Sequence, residues 1–231
     1  MKKQPTYYSI HYNRPDFVEI QYKLSQILDY KLFIVNNGEN KLIKKKCRDL
    51  RINNYIETKN VGTLSHSHGN AINEILPLID MSQPYGFIDH DVFILSKIYM
   101  INNDILSWKQ ENVINQHYLW PGLLICKENT NLLGVNFLPG IGINGDTGCD
   151  TYRIIKNYKV KWLETSIDNT AYMNKNIQHT NEIMRFDIRN TIVAYHYING
   201  SNWAKSSTNS TKNNILLTLL NDKFPGMFKV L

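Results

Sequence analysis

Cysteine is scarce in this chain. Cys47, Cys126 and Cys149 are the three among 231 residues, and none stands in a CxxC pair. That spacing excludes a disulfide framework and a zinc-finger pattern, and it predicts reduced, structural thiols. Long apolar runs are also missing. The longest fall well short of the ~20 residues that a membrane-spanning helix needs. The N-terminal "MKKQPTYYSIHYN" has two lysines but no apolar core or small-residue cleavage site. It therefore does not read as a secretory signal, and a cytosolic location is the simplest expectation. Internal repeats and linkers are absent, and the one low-complexity patch, "SSTNSTKNN", predicts a mobile loop.

With 42% hydrophobic and 20% charged residues, the chain excludes intrinsic disorder and holds enough apolar material for a sizeable core. One α/β domain over residues 1–231 is the economical reading. Net charge is +6, part of it concentrated in "KLIKKKCRDLR", where Lys41, Lys44, Lys45, Lys46, Arg48 and Arg51 lie close together. Such a cluster fits either a nucleic-acid patch or a solvated helix face, and the lack of interleaved aromatics favours the second. A mild basic excess also suits an enzyme whose substrate carries a diphosphate.

The first half alternates strand and helix patterns. "TYYSIHY" is aromatic and β-branched, and predicts a first strand. "NRPDFVEIQYKLSQIL" opens on Pro15 and Asp16 and repeats Phe17, Ile20, Leu24 and Ile27 at helical spacing. "KLFIVNN" reads as a buried strand stopped by Asn36-Asn37-Gly38, residues 41–51 as a helix, and "YIET" as a short strand. "NVGTLSHSHGNAINEILPLID" reads as a loop feeding a helix, and "YGFIDHDVFIL" as one further strand. This alternation implies βαβ units and a mostly parallel sheet flanked by helices, with ligands gathered beyond the carboxyl ends of the strands. The second half is less regular. "WPGLLICKEN" and "LLGVNFLPGIGINGD" predict strands joined by turns, and "GDTGCDTYRIIKNYK" a loop entering a helix, with Asp146 or Thr147 as N-cap. "TIVAYHYINGSNW" predicts a strand ending at Gly200, and "KNNILLTLLNDKF" a last amphipathic helix.

The chemistry concentrates in Asp89-His90-Asp91, at the end of an apolar run. A buried carboxylate costs several kcal/mol unless it is paired, hydrogen-bonded or bound to metal. In extended chain an Asp-x-Asp pair sends both side chains to one side, where they repel unless a divalent cation lies between them. Mg²⁺ and Mn²⁺ suit carboxylate and phosphate oxygens, so such a cation would bridge protein to diphosphate. The plainer alternative is a pair of solvated turn carboxylates. His196 also closes an apolar run, and neutral imidazole is a common ligand for such metals, although a lone His after a strand is usually structural.

Several segments resemble the nucleotide-sugar-binding half of a GT-A glycosyltransferase of the family 2 type. "YNRPDF" is similar to that family's opening "YNR", and "FIVNNGEN" stands where it usually has "IVVDDGS". "NVGTLSHSHGNAIN" resembles its "NxGxxxARNxGI", and "YGFIDHDVFIL" its "YIxFLDxDD" with the DxD motif. The His-x-x-x-Gly-Ser-x-Trp of "HYINGSNW" is similar to the C-terminal His that completes the metal site in several GT-A enzymes. The resemblance implies a GT-A fold, Rossmann-like and α/β, with residues 1–100 as the nucleotide-sugar half and 101–231 as the acceptor half. It implies transfer of a hexose-type sugar from a UDP-, GDP- or dTDP-linked donor to a glycan or other hydroxyl acceptor, with Mn²⁺ or Mg²⁺ as cofactor. Asp91 would then bind the metal directly, Asp89 would hold the ribose and a metal-bound water, and His196 would be the third ligand. Tyr12, Asn13 and Arg14 would line the nucleotide pocket, with Asn37 near the nucleobase. His66 and His68 would face the diphosphate or sugar, where the family often has Arg. The family's base-contacting Asp is replaced by Asn36-Asn37, which changes the donor and acceptor logic toward a nucleobase.

An inverting transfer needs a general base for the acceptor hydroxyl. Asp146 and Asp150 in "GDTGCDTYR" are the candidates, Asp146 preferred because it precedes the helix. Tyr118, Trp120, Pro121 and Trp162 form either an aromatic platform for an acceptor sugar or part of the core. Two other classes compete. A nucleotidyltransferase would carry a glycine-rich phosphate loop after the first strand, and "YSIHYNRPDF" has none. A non-catalytic nucleic-acid-binding protein would use residues 41–51 and have no need of Asp89 or Asp91.

Overall fold

A computed structural model describes residues 3–59, 61, 62, 64–112, 114–140, 145–167, 183–198 and 209–228. Four strands come first in the order of the chain: β1 (Thr6–His11), β2 (Leu32–Asn37), β3 (Tyr55–Thr58) and β4 (Tyr85–Asp89). They lie side by side as β3-β2-β1-β4, all parallel, with Ile10 opposite both Val35 and Asp89. The helices between them are α1 (Pro15–Leu28), α2 (Lys41–Asp49) and α3 (Leu64–Ile75). The sheet continues through β7 (His117–Cys126), antiparallel to β4, then β6 (Ile105–Glu111) and β8 (Val160–Trp162). The result is a mixed α/β fold with a seven-stranded, mostly parallel sheet.

Strand alternation decides which helix covers which face. Tyr7, Ile34 and Ile88 pack with Val18 of α1 and with Ile43 and Cys47 of α2. Tyr8, Ile10, Val35 and Phe87 pack with Ala71, Ile72 and Ile75 of α3. Both faces are therefore covered, as a parallel sheet requires. Pro15 starts α1 where a missing N–H costs nothing, and Asn40 caps α2 by accepting from the N–H groups of Leu42 and Ile43.

The run "YGFIDHDVFIL" departs from the single strand its composition predicts. β4 ends at Asp89, the chain turns at His90 and Asp91, and Val92 opens β5 (Val92–Ile94) in a second sheet. That sheet orders β5-β11-β10-β9, with β9 at Glu164–Ile167, β10 at Met184–Ile188 and β11 at Thr191–His196. Asp89 and Asp91 consequently flank a corner and do not share one face of an extended strand. Helix α4 (Asn209–Lys223) packs Ile215, Leu216, Leu219 and Leu220 with Phe17 and Leu24 of α1 and Phe93, Tyr195 and Tyr197 of the second sheet.

Other expectations change as well. "LLGVNFLPG" forms no strand; it is an irregular segment whose Leu132 and Phe137 are anchored against α3. "GDTGCDTYRIIKNYK" makes two short 3₁₀ turns, Cys149–Arg153 and Ile155–Asn157, and not an α-helix. Gly148 stands at the N-cap of the first, so neither Asp146 nor Thr147 caps it. Residues 209–214 of the low-complexity patch are helical rather than loop. The proposed turn at Gly200, Ser201 and Trp203 lies outside the described residues.

Candidate functional site

The carboxyl ends of β1, β2 and β4 present His11, Asn37 and Asp89 along one edge. The corner after β4 adds His90 and Asp91, and the second sheet brings in a residue from far down the chain. β11 pairs antiparallel with β5 so that His196 stands opposite Val92. The His196 Nε2 atom lies 3.6 Å from Asp91 Oδ1. Asp91 is only 4% exposed. Its carbonyl accepts from the Tyr197 N–H at 2.8 Å. The imidazole of His196 packs on Trp120, with ring centroids 4.9 Å apart, and stacks toward Phe186. Trp120 is thus a buried wall behind His196, and Tyr118 is buried too, which removes both from an acceptor platform.

Asp89 has a different neighbour. His68, in the first turns of α3, places Nε2 2.9 Å from Asp89 Oδ1. Burial pushes the His68 imidazole toward its neutral form, but the Asp89 charge and contact, with Asp146 and Asp91 adding to them, leave its pKa raised above the ordinary value. His66, two residues earlier on the same helix, is exposed. Among the described residues, no three His, Cys, Asp or Glu side chains converge closely enough to hold a metal as they stand.

Asn37 is buried and committed to the fold, because its amide donates to Ser67 Oγ at 2.9 Å and to the Ser67 carbonyl. It seats the start of α3 instead of facing a ligand. Asn36 bonds Tyr55 and Asn40 at the turn into α2. Arg14 forks onto Asp16, donates to Asn213 of α4 and lies 3.6 Å above the Phe17 ring, tying α1 to α4. Tyr12 is 46% exposed at the rim. Asn13 Oδ1 is buried with no partner among the described residues.

The two candidate bases separate. Asp150 pairs with Arg153 at 3.1 Å. Asp146 is exposed, accepts from the Thr147 N–H, and has its own N–H bonded to Tyr118 Oη. Thr147 in turn donates to the Ser65 carbonyl at the head of α3, which brings the Asp146 loop beside His68. Gly69 lets the backbone of Phe137 and Leu138 lie close against α3. A Cβ there would sit 2.4 Å from the Phe137 carbonyl oxygen and 3.0 Å from Leu138 Cα, both backbone. Gly69→Ala gains about 1 kcal/mol of helix propensity, but backbone on the other side cannot yield cheaply. The net expected result is a loss of about 1–3 kcal/mol in urea unfolding.

Sequence reasoning missed Gln21. It is fully buried in α1 and sits beneath the corner. The signal was present: Gln21 falls on the buried face of the helix, four residues after Phe17 and three before Leu24. A polar side chain at such a position needs partners.

Among the described residues, three of the six basic residues in the 41–51 cluster stand in ion pairs. Lys44 pairs with Glu57, Lys45 with Asp49 and Lys46 with Glu19, at 2.7–2.9 Å. Exposed pairs of this kind add little stability and lower the positive charge of this face only in part. No described helix is long and apolar enough to cross a membrane.

No family model and no curated protein matches the chain. Among solved structures it is similar to the apo form of WbbM, a bifunctional glycosyltransferase, with 11% identity and a TM-score of 0.38. That match covers 56% of this chain and 32% of WbbM, so the chain spans about a third of that protein's length.

Proposed function

We propose that this protein is a glycosyltransferase that moves a sugar from a nucleoside-diphosphate donor to an acceptor hydroxyl, with Mn²⁺ or Mg²⁺ at Asp91 and His196. The observation that carries the reading is the meeting of those two side chains, 3.6 Å apart, at the carboxyl edge of the parallel strands. Donor atoms each about 2.1 Å from one cation stand about 3–3.6 Å apart, so the spacing suits a shared ion. An oxygen and an imidazole nitrogen also form a donor set that Mn²⁺ accepts. Two protein donors are enough when substrate phosphates complete the shell, the usual arrangement for Mg²⁺. When bound, the cation would neutralise charge building on the departing diphosphate.

The chain's own residues supply the rest. Asp89 is directed to the donor ribose, with His68 holding its carboxylate in place. Tyr12, exposed at the rim, is directed to the nucleobase, with Asn13 next to it in the chain. Asp146, exposed and beside His68, is the base that accepts the acceptor's proton, whereas Asp150 is occupied by Arg153. Trp120 and Phe186 hold the His196 ring in orientation.

A thermal-shift panel of UDP-, GDP- and dTDP-sugars, each with and without Mn²⁺, tests this. One nucleotide is expected to raise Tm, and only with metal. Equal stabilisation by every nucleotide, or stabilisation that ignores the metal, overturns the reading.

A further inference from the structure

Below the corner, one side chain reaches five partners at once. The Gln21 Nε2 donates to the carbonyl oxygens of Asp89 at 2.9 Å and Val92 at 2.7 Å, with His90 O at 3.3 Å. Its Oε1 accepts from Ser9 Oγ at 2.7 Å and meets His11 Nε2 at 2.9 Å. The orientation of the amide is fixed by chemistry. Three carbonyls can only accept, so the NH₂ end must face them, and the oxygen must face β1. His11 is therefore protonated on Nε2. No carboxylate could replace this group, since it has no hydrogen for the carbonyls. No amine could either, since it cannot accept from Ser9 and His11.

We infer that Gln21 is a positioning residue: it fixes the backbone of the Asp89–Val92 corner and thereby sets where the Asp91 carboxylate stands relative to His196. The inference rests on the metal reading above and assigns that site a support from α1. Tyr197, directly after β11, holds the same corner through its N–H to Asp91 O. Between them, these two attachments leave the turn at His90 and Asp91 little freedom, although it belongs to neither sheet.

The test compares Gln21→Met, which keeps length and loses both ends of the amide, with Ser9→Ala, which removes one bond of the same network and spares the carbonyls. Amide hydrogen exchange in peptides covering the corner and Tyr197 is expected to rise about tenfold in the methionine variant and to stay at the wild-type rate in Ser9→Ala. Affinity for Mn²⁺ alone, titrated by electron paramagnetic resonance, is expected to weaken about tenfold or more in Gln21→Met, the range seen when a group supporting a metal ligand is lost. In Ser9→Ala it stays within about twofold of wild type. Unchanged exchange at the corner overturns the inference, and so do Mn²⁺ affinities that fall alike in both variants, since that is the mark of general loosening. A wild-type protein that takes no Mn²⁺ sinks the metal reading instead, and the exchange comparison still decides whether Gln21 holds the corner. Should Gln21→Met fail to fold, Gln21→Asn, which keeps the amide one methylene short, is read by the same two measurements.

Discussion

Asp91→Ala is expected to erase the metal-dependent part of nucleotide stabilisation while the protein stays folded. A ligand present at 100 times its Kd stabilises a folded protein by about 2.7 kcal/mol. For a chain of this size that is a rise of roughly 5–10 °C in Tm, and the variant should show none of it. The carboxylate is the part removed. The Asp91 carbonyl still accepts from Tyr197, so the corner keeps its backbone anchor. Asp91→Asn is the sharper comparison, because it preserves volume and removes only charge. If either variant keeps the full metal-dependent shift, Asp91 is not the metal's carboxylate and the centre lies elsewhere.

The second large effect is acid instability arising from His11. Burial pushes its pKa from the ordinary 6.5 down to about 3, with the neighbouring His90 adding to the effect. The bond to Gln21 and the charges of Asp16 and Asp91 oppose this without reversing it. In the unfolded chain His11 protonates near pH 6.5, whereas in the fold it stays neutral. The unfolded state thus binds the extra proton, and stability falls as pH drops through that window. The slope approaches about 1.4 kcal/mol per pH unit below the unfolded pKa, so the loss between pH 6.5 and pH 5 is about 1.6 kcal/mol. His11→Gln can still donate to Gln21 and carries no titratable group. Its urea midpoints should be lower at pH 7 but fall less steeply toward pH 5 than those of wild type. Parallel pH profiles would show that His11 does not titrate differently in the two states.

How much of this was legible depends on whether the pattern was local. The strands "YYSIHY" and "KLFIVNN" and helix α1 announce themselves through period, Pro15 and the Asn-Asn-Gly stop, and they fold as those signals say. The corner does not announce itself. Asp89-His90-Asp91 interrupts the apolar run with turn-favouring residues, but with no glycine or proline beside them the triplet reads as strand-end chemistry rather than as a change of sheet at His90. Neither does "LLGVNFLPG" reveal that its apolar residues serve as plugs against α3 rather than as a strand. Asn37 reads as a ligand contact because it stands where the resembled family has its base-contacting Asp, but its amide is used by Ser67, a partner thirty positions away. Gln21 shows the opposite failure: it sits in plain helical phase with Phe17 and Leu24, and its polarity was the clue. The basic stretch of α2 looks free in sequence because Glu19 and Glu57, which answer two of its lysines, lie outside it.

The pairing of β5 with β11 bears on when the protein becomes competent during its manufacture. A ribosome releases β1 through β5 early, but β5 is an edge strand whose ladder is completed by β11. At roughly 5–20 residues per second, His196 follows Asp91 out of the tunnel only after several seconds. Throughout that interval Val92, Phe93 and Ile94 have Phe17 and Val18 of α1 to pack with, but the strand edge that β11 will pair stays open.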